Sequence, residues 1–127
     1  MKVKPRKNVS PDQCNEAMLA LRDSIEIWGG KWKLMILLYL TIRVNEKNYF
    51  MEMVRGISGI SGKMLSKELK DLEMNKLVRR IVHDTKPVTV EYTITAYGKS
   101  FIPVAEQLLQ WGLAHRKTIK AKLRSKV

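Results

Sequence analysis

Between residues 77 and 94 the spacing of apolar side chains changes to two, in a chain whose other apolar positions repeat at helical spacing. Segments 77–83 and 88–94 are rich in β-branched residues, and Val88, Val90, Tyr92 and Ile94 alternate with Thr89, Glu91 and Thr93. That alternation is a half-buried strand, and the short link Asp84-Thr85-Lys86-Pro87 reads as the turn of a β-hairpin.

The segments around the hairpin read as helices. Ser10-Pro11-Asp12-Gln13 combines an N-cap serine, a proline at the first helical position and a glutamine three residues after the cap. Cys14, Met18, Leu21, Ile25 and Trp28 then follow as one stripe, and Gly29-Gly30 ends the helix. A second helix is predicted from near Lys31 through Leu40, apolar nearly all round and therefore central and buried. Residues 43–48 read as a connection, 50–57 as a short helix and Ser58-Gly59-Ile60 as a turn. Ser61 caps the next helix, with Leu65, Leu69 and Leu72 on one side and Lys63, Lys67 and Lys70 on the other. After the hairpin, Thr95 is predicted to cap one long helix. It carries two apolar stripes, Tyr97, Phe101, Val104, Leu108 and Trp111, and Ile102, Ala105, Leu109 and Leu113. Pro103 is expected to kink it. Two stripes exceed what one small core needs, so one face is expected to meet a second subunit.

The order of these elements is that of a winged helix-turn-helix: mainly α with a small β-hairpin, and a long C-terminal dimerisation helix. With 127 residues the chain has room for one domain. The division expected is a basic N-terminal arm (1–9), the winged-helix domain with its dimerisation helices (10–115), and a basic C-terminal tail or helix extension (116–127). A hydrophobic fraction of 45% beside 28% charged residues excludes disorder as a description of the whole chain.

The formal net charge is +12, from 24 basic and 12 acidic residues. Ten of the basic residues lie in segments 1–11 and 116–127, which hold no acid. The body between them is close to neutral. Strong positive charge calls for a polyanionic partner, nucleic acid before an acidic membrane surface. The apolar run at 34–40 is far short of the ~20 residues of a membrane span. The basic 1–7 segment leads into polar residues instead of an apolar segment, so it does not read as a secretory signal. A cytoplasmic location and no membrane partner are expected.

In a winged helix the second helix of the motif enters the major groove of double-stranded DNA and the hairpin reaches the neighbouring backbone or minor groove. That assigns Ser61, Lys63, Met64, Ser66, Lys67 and Lys70 to the recognition helix and Arg79, Arg80, His83 and Lys86 to the wing, with Lys31 and Lys33 as further phosphate contacts. One cysteine excludes an internal disulfide framework, and with two histidines it leaves no zinc cluster. No metal, cofactor or catalytic residue is expected. Trp32 and Trp111 read as core or interface residues, and Glu91 as a carboxylate anchoring local structure. His83 and His115 lack spacing for metal or acid/base work. A small basic RNA-binding protein shares the charge, but would want exposed aromatics for stacking on bases. A nuclease would need a cluster of carboxylates or histidines that the spacing does not offer. A winged-helix protein-interaction adaptor is the remaining alternative.

The sequence resembles the HxlR-type winged-helix transcriptional regulators of bacteria. The matching segments are Gly29-Gly30-Lys31-Trp32-Lys33, Phe50 with Glu52, Gly59-Ile60-Ser61-x-Lys63-Met64-Leu65, Leu69-x-x-Leu72-Glu73, Leu77-Val78-x-Arg80, Pro87, and Val90-Glu91-Tyr92-x-Ile94-Thr95, with Gly98, Pro103 and Trp111 in the last helix. The resemblance spans residues 14–115. It implies a homodimer paired through the first and last helices, bound to an inverted-repeat operator to regulate nearby genes, with repression the expected sign. Met18, Leu21, Phe101, Ile102, Leu108, Leu109 and Trp111 are the candidate dimer interface. Many relatives carry a Cys-Pro pair before the first helix, and some use that cysteine to sense oxidants or electrophiles, whereas here Cys14 precedes Asn15. Cys14 is a packing residue of its stripe or a redox sensor acting through a cross-subunit bond or an adduct. A small-molecule effector, if one binds, is expected between the long last helix and the winged-helix body.

Overall fold

The computed structural model describes residues 10–125, so the basic arm expected at 1–9 lies outside the described residues, as do 126 and 127. The chain divides into two compact units, 1–30 and 31–127.

The first unit holds α1 (Pro11–Trp28). Ser10 Oγ accepts from the Gln13 amide at 3.2 Å and Gln13 Oε1 accepts from the Ser10 amide at 3.4 Å, the reciprocal box expected from the sequence. Met18, Leu21 and Ile25 are exposed, at 61%, 56% and 60%.

The second unit runs α2 (Lys33–Ile42), β1 (Asn48–Tyr49), α3 (Phe50–Gly56), α4 (Gly62–Met74), β2 (Val78–His83), β3 (Thr89–Ile94), α5 (Ala96–Lys99) and α6 (Ile102–Ser125). It is a winged helix-turn-helix. The strands form an antiparallel sheet in the order β1-β3-β2, with Arg80 opposite Tyr92 and Val82 opposite Val90. Two-residue β1 pairs Asn48 with Tyr92 and ties the wing to the start of α3. Nothing in the sequence announces it. Asn48 is buried, its amide donating to the Arg43 and Glu46 carbonyls while its Oδ1 accepts from Arg43 Nε at 3.1 Å.

The core is Ile36, Leu37 and Leu40 of α2, Met53 of α3, Leu65, Leu69 and Leu72 of α4, and Val78, Tyr92 and Ile94 of the sheet. The second helix starts at Lys33, later than its apolar run suggested, and it is not buried all round. It packs against α4, β3 and α6, leaving Met35, Leu38 and Ile42 exposed. The turn between α3 and α4 needs Gly59, whose φ of +85° belongs to the left-handed region, while Ile57 and Ile60 on either side are buried. At the far end of α4, Lys76 adopts φ +62°, and the amides of Lys76 and Leu77 donate to the Glu73 and Leu72 carbonyls, each at 2.9 Å. This terminates the helix and starts β2 with buried Leu77.

The long last helix is two helices. Thr95 caps only the four-residue α5, its Oγ1 accepting from the Gly98 amide at 2.9 Å. A continuous helix would drive the Pro103 ring into the Lys99 carbonyl. The chain breaks at Ser100 and Phe101 and restarts, so Pro103 lies in the first turn of α6, where its missing N–H goes unneeded, and it does not kink the helix. α6 then continues to Ser125.

Lys33 Nζ lies 2.7 Å from Glu68 Oε2 and 3.6 Å from Asp71 Oδ2, joining α2 to α4 with the Lys33 and Glu68 side chains only 12% and 11% exposed. Removing one partner strands the other charge, so Lys33→Met should cost about 3 kcal/mol in urea unfolding, and adding Glu68→Leu should recover most of it. Gly98 is buried where a Cβ would collide with the Leu77 carbonyl oxygen and crowd Ile94. Gly98→Ala should therefore lower stability by about 2 kcal/mol, read as a fall in the thermal midpoint.

Candidate nucleic-acid interface

Ser61 sets the start of α4: its Oγ accepts from the Met64 amide at 3.1 Å, a bond that does not use its hydroxyl hydrogen. The helix then divides by periodicity. Leu65, Glu68, Leu69 and Leu72 are buried, whereas Lys63, Ser66, Lys67 and Lys70 are exposed or half-exposed along the other side, with Met64 between them. None of the three lysines forms an ion pair among the described residues. Glu68 stands on the core side because it falls three residues after Leu65. That spacing carries the signal for a buried acid, and Lys33 is the cation that satisfies it.

This changes the set of basic residues expected to face outward. Lys33 points to Glu68 and Asp71, so its charge is compensated inside the chain and it leaves the group of free cations. Lys31 stays exposed, with its Nζ 4.5 Å from the Trp32 ring centroid, and Trp32 itself lies beside Gly59 of the turn.

The wing residues do not form one group. Arg79 and Arg80 are consecutive in β2, so they project to opposite faces of the sheet. Arg80 shares a cleft with Ser66 and Lys70 of α4, and Arg79 does not line it. His83 is half-buried, with Nε2 3.4 Å from Glu91 Oε2 and its ring edge-on to Tyr49 at 6.2 Å. Glu91 thus anchors local structure. Lys86 is exposed at the tip. Arg55 of α3, which sequence reasoning passes over, lines the same region as Ser66 and Arg80. Its position depends on how α3 packs beside the sheet, and no spacing signals it.

The apolar residues expected at an interface are largely in solvent. Leu108, Leu109 and Trp111 of α6 are exposed, with Trp111 stacked on His115 at 4.9 Å, while Phe101 and Ile102 are half-buried. Cys14 is exposed, so burial in its own unit does not account for it. Among the described residues no three His, Cys, Asp or Glu side chains converge as a metal site, and no helix is long and apolar enough to cross a membrane.

Residues 27–120 match the HxlR-like helix-turn-helix family. The chain belongs to it. The HTH-type transcriptional regulator YtcD of Bacillus subtilis (strain 168) is 35% identical over 97 residues, 76% of this chain and 75% of that protein. Its crystal structure superposes with a TM-score of 0.70, covering 76% of this chain and 96% of that one. An HTH-type transcriptional regulator of Methanothermobacter thermautotrophicus is 36% identical over 98 residues, covering 77% of this chain and 72% of that protein. The reduced form of the redox regulator HypR is 28% identical with a TM-score of 0.71, covering 80% and 98% of the two chains. This HxlR-like chain is accordingly a transcriptional regulator of the winged-helix type, and its relatives are regulators, not enzymes.

Proposed function

We propose that the protein is a sequence-specific double-stranded-DNA-binding regulator that acts in the cytoplasm as a homodimer on an inverted-repeat operator and represses the genes beside it. One observation carries this reading: α4 presents Lys63, Lys67 and Lys70, without ion-pair partners among the described residues, on the side opposite its core residues and next to a charged hairpin. Cations without internal partners are free to neutralise phosphates, and Ser61, Met64 and Ser66 between them can reach base edges. The apolar side chains exposed along α1 and α6 support pairing with a second copy, since a monomer gains nothing by leaving them in water. A redox or small-molecule signal completes the reading. Exposed Cys14 and the likeness to the redox regulator HypR support the first of these.

The test is a gel-shift titration on the bound site recovered by genome-wide footprinting, against random duplex and single-stranded RNA at matched salt. Lys67→Ala should weaken binding to the site roughly tenfold with the unfolding midpoint unchanged. Unaltered affinity would remove α4 from its role. In the same assay Arg79→Ala and Lys86→Ala should each weaken binding to all duplexes and reduce the slope of log affinity against log salt by about 1. A change in sequence preference alone would mean that the hairpin reads bases. Tighter binding to single-stranded RNA than to either duplex would overturn the DNA reading.

A further inference from the structure

The cleft bounded by β1, α3, α4 and the hairpin has a volume of about 520 Å3, in the range of small-molecule sites. Its lining combines two kinds of group. Tyr49, Phe50, Val90 and Tyr92 supply aromatic and branched apolar surface, and Arg55 and Arg80 supply positive charge. Neither arginine forms an ion pair among the described residues: of the acids nearby, Glu52 faces Arg43 at 3.7 Å, and Glu73 lines the adjoining cleft with Arg80 without pairing to it. Two guanidinium groups without ion-pair partners among the described residues, set next to aromatic side chains, suit a flat apolar body bearing a carboxylate.

We propose that this cleft is an effector site for a small aromatic monocarboxylate, and that its occupation opposes DNA binding. A DNA phosphate could use the arginines but would leave the aromatic surface uncovered, while an aromatic acid uses both. The region between α2 and α6 is less suited. Its cavities of about 170 and 30 Å3 are lined almost wholly by apolar residues such as Leu34, Leu38 and Leu109, with no cation to hold a charged ligand. The consequence for DNA rests on the reading given above. Ser66 and Arg80 belong both to the cleft and to the surface assigned to DNA, so ligand and duplex draw on the same groups and their affinities must oppose each other reciprocally.

The site is tested without DNA, by calorimetric titration of the full chain with benzoate, benzamide and inorganic phosphate at constant ionic strength. Benzoate should bind, uncharged benzamide should bind roughly tenfold more weakly, and Arg55→Gln should weaken benzoate by a similar factor at an unchanged thermal midpoint. Lys67→Ala, outside the cleft, should leave benzoate binding intact. Equal binding of benzamide, an equal loss in Lys67→Ala, phosphate competing as well as benzoate itself, or no binding at all would each overturn the proposal. Phosphate competition would mark a subsite for the DNA backbone. In a second arm benzoate replaces chloride at fixed ionic strength during duplex titration. Weaker duplex binding, with a smaller effect in Arg55→Gln, supports the effector role, and unchanged duplex affinity refutes it. A chain that binds benzoate in the first arm but no duplex in the second keeps the ligand site and loses the DNA-binding reading.

Discussion

The ion pair of Lys33 with Glu68, with Asp71 beside it, fixes which way α4 is turned. Glu68 shares the inward side with Leu65, Leu69 and Leu72, and an isolated carboxylate could not stay there. Lys33 supplies the missing charge from the first turn of α2, so the helix has one orientation in which both its leucines and its acid are satisfied. Rotating α4 to bury another side would expose the leucines and force a free lysine inward. The outward projection of Lys63, Lys67 and Lys70 follows from that constraint.

The same constraint redistributes the charge. The net of +12 suggests a polyanion partner, yet most of it belongs to the two ends of the sequence. What distinguishes the body is how its charges are matched. Lys33 neutralises Glu68, Arg43 faces Glu46 and Glu52, and His83 meets Glu91. These acids near the helix-turn-helix are thereby engaged by neighbouring cations, and the cations without an ion pair among the described residues include Lys63, Lys67 and Lys70 of α4, Arg79, Arg80 and Lys86 of the hairpin, Arg55 and Lys31. A nearly neutral body can in this way present a strongly positive face.

Features encoded within a few residues are legible in the sequence. The Ser10 and Ser61 caps rest on hydrogen bonds three residues away, and the hairpin on strict alternation from Val88 to Ile94. Features that depend on distant packing are not. A two-residue strand has no period, so β1 and the buried amide of Asn48 give no signal. A threonine cap looks the same ahead of a four-residue helix as ahead of a long one, and only the clash expected of Pro103 in a helix interior marks the break between α5 and α6. At the candidate site, the recognition helix is legible because its two faces differ by half a turn. The inward turn of Lys33 is not, since a lysine beside an apolar run reads as solvent-facing until its acid is known. Nor is Arg55, which reaches the cleft only because β1 holds α3 against the sheet.

Among the described residues, the strand order β1-β3-β2 leaves β2 with a partner on one side only. Its other side presents unpaired backbone groups, the kind of template on which strands of other molecules can grow. Arg79 and Arg80 stand on that strand, one on each face, so an incoming copy would bring its own arginines against them. Charges placed on an edge strand are a common guard against such pairing, so replacing the side chains assigned to nucleic acid with neutral residues would bare this edge as well as weaken any grip on a polyanion.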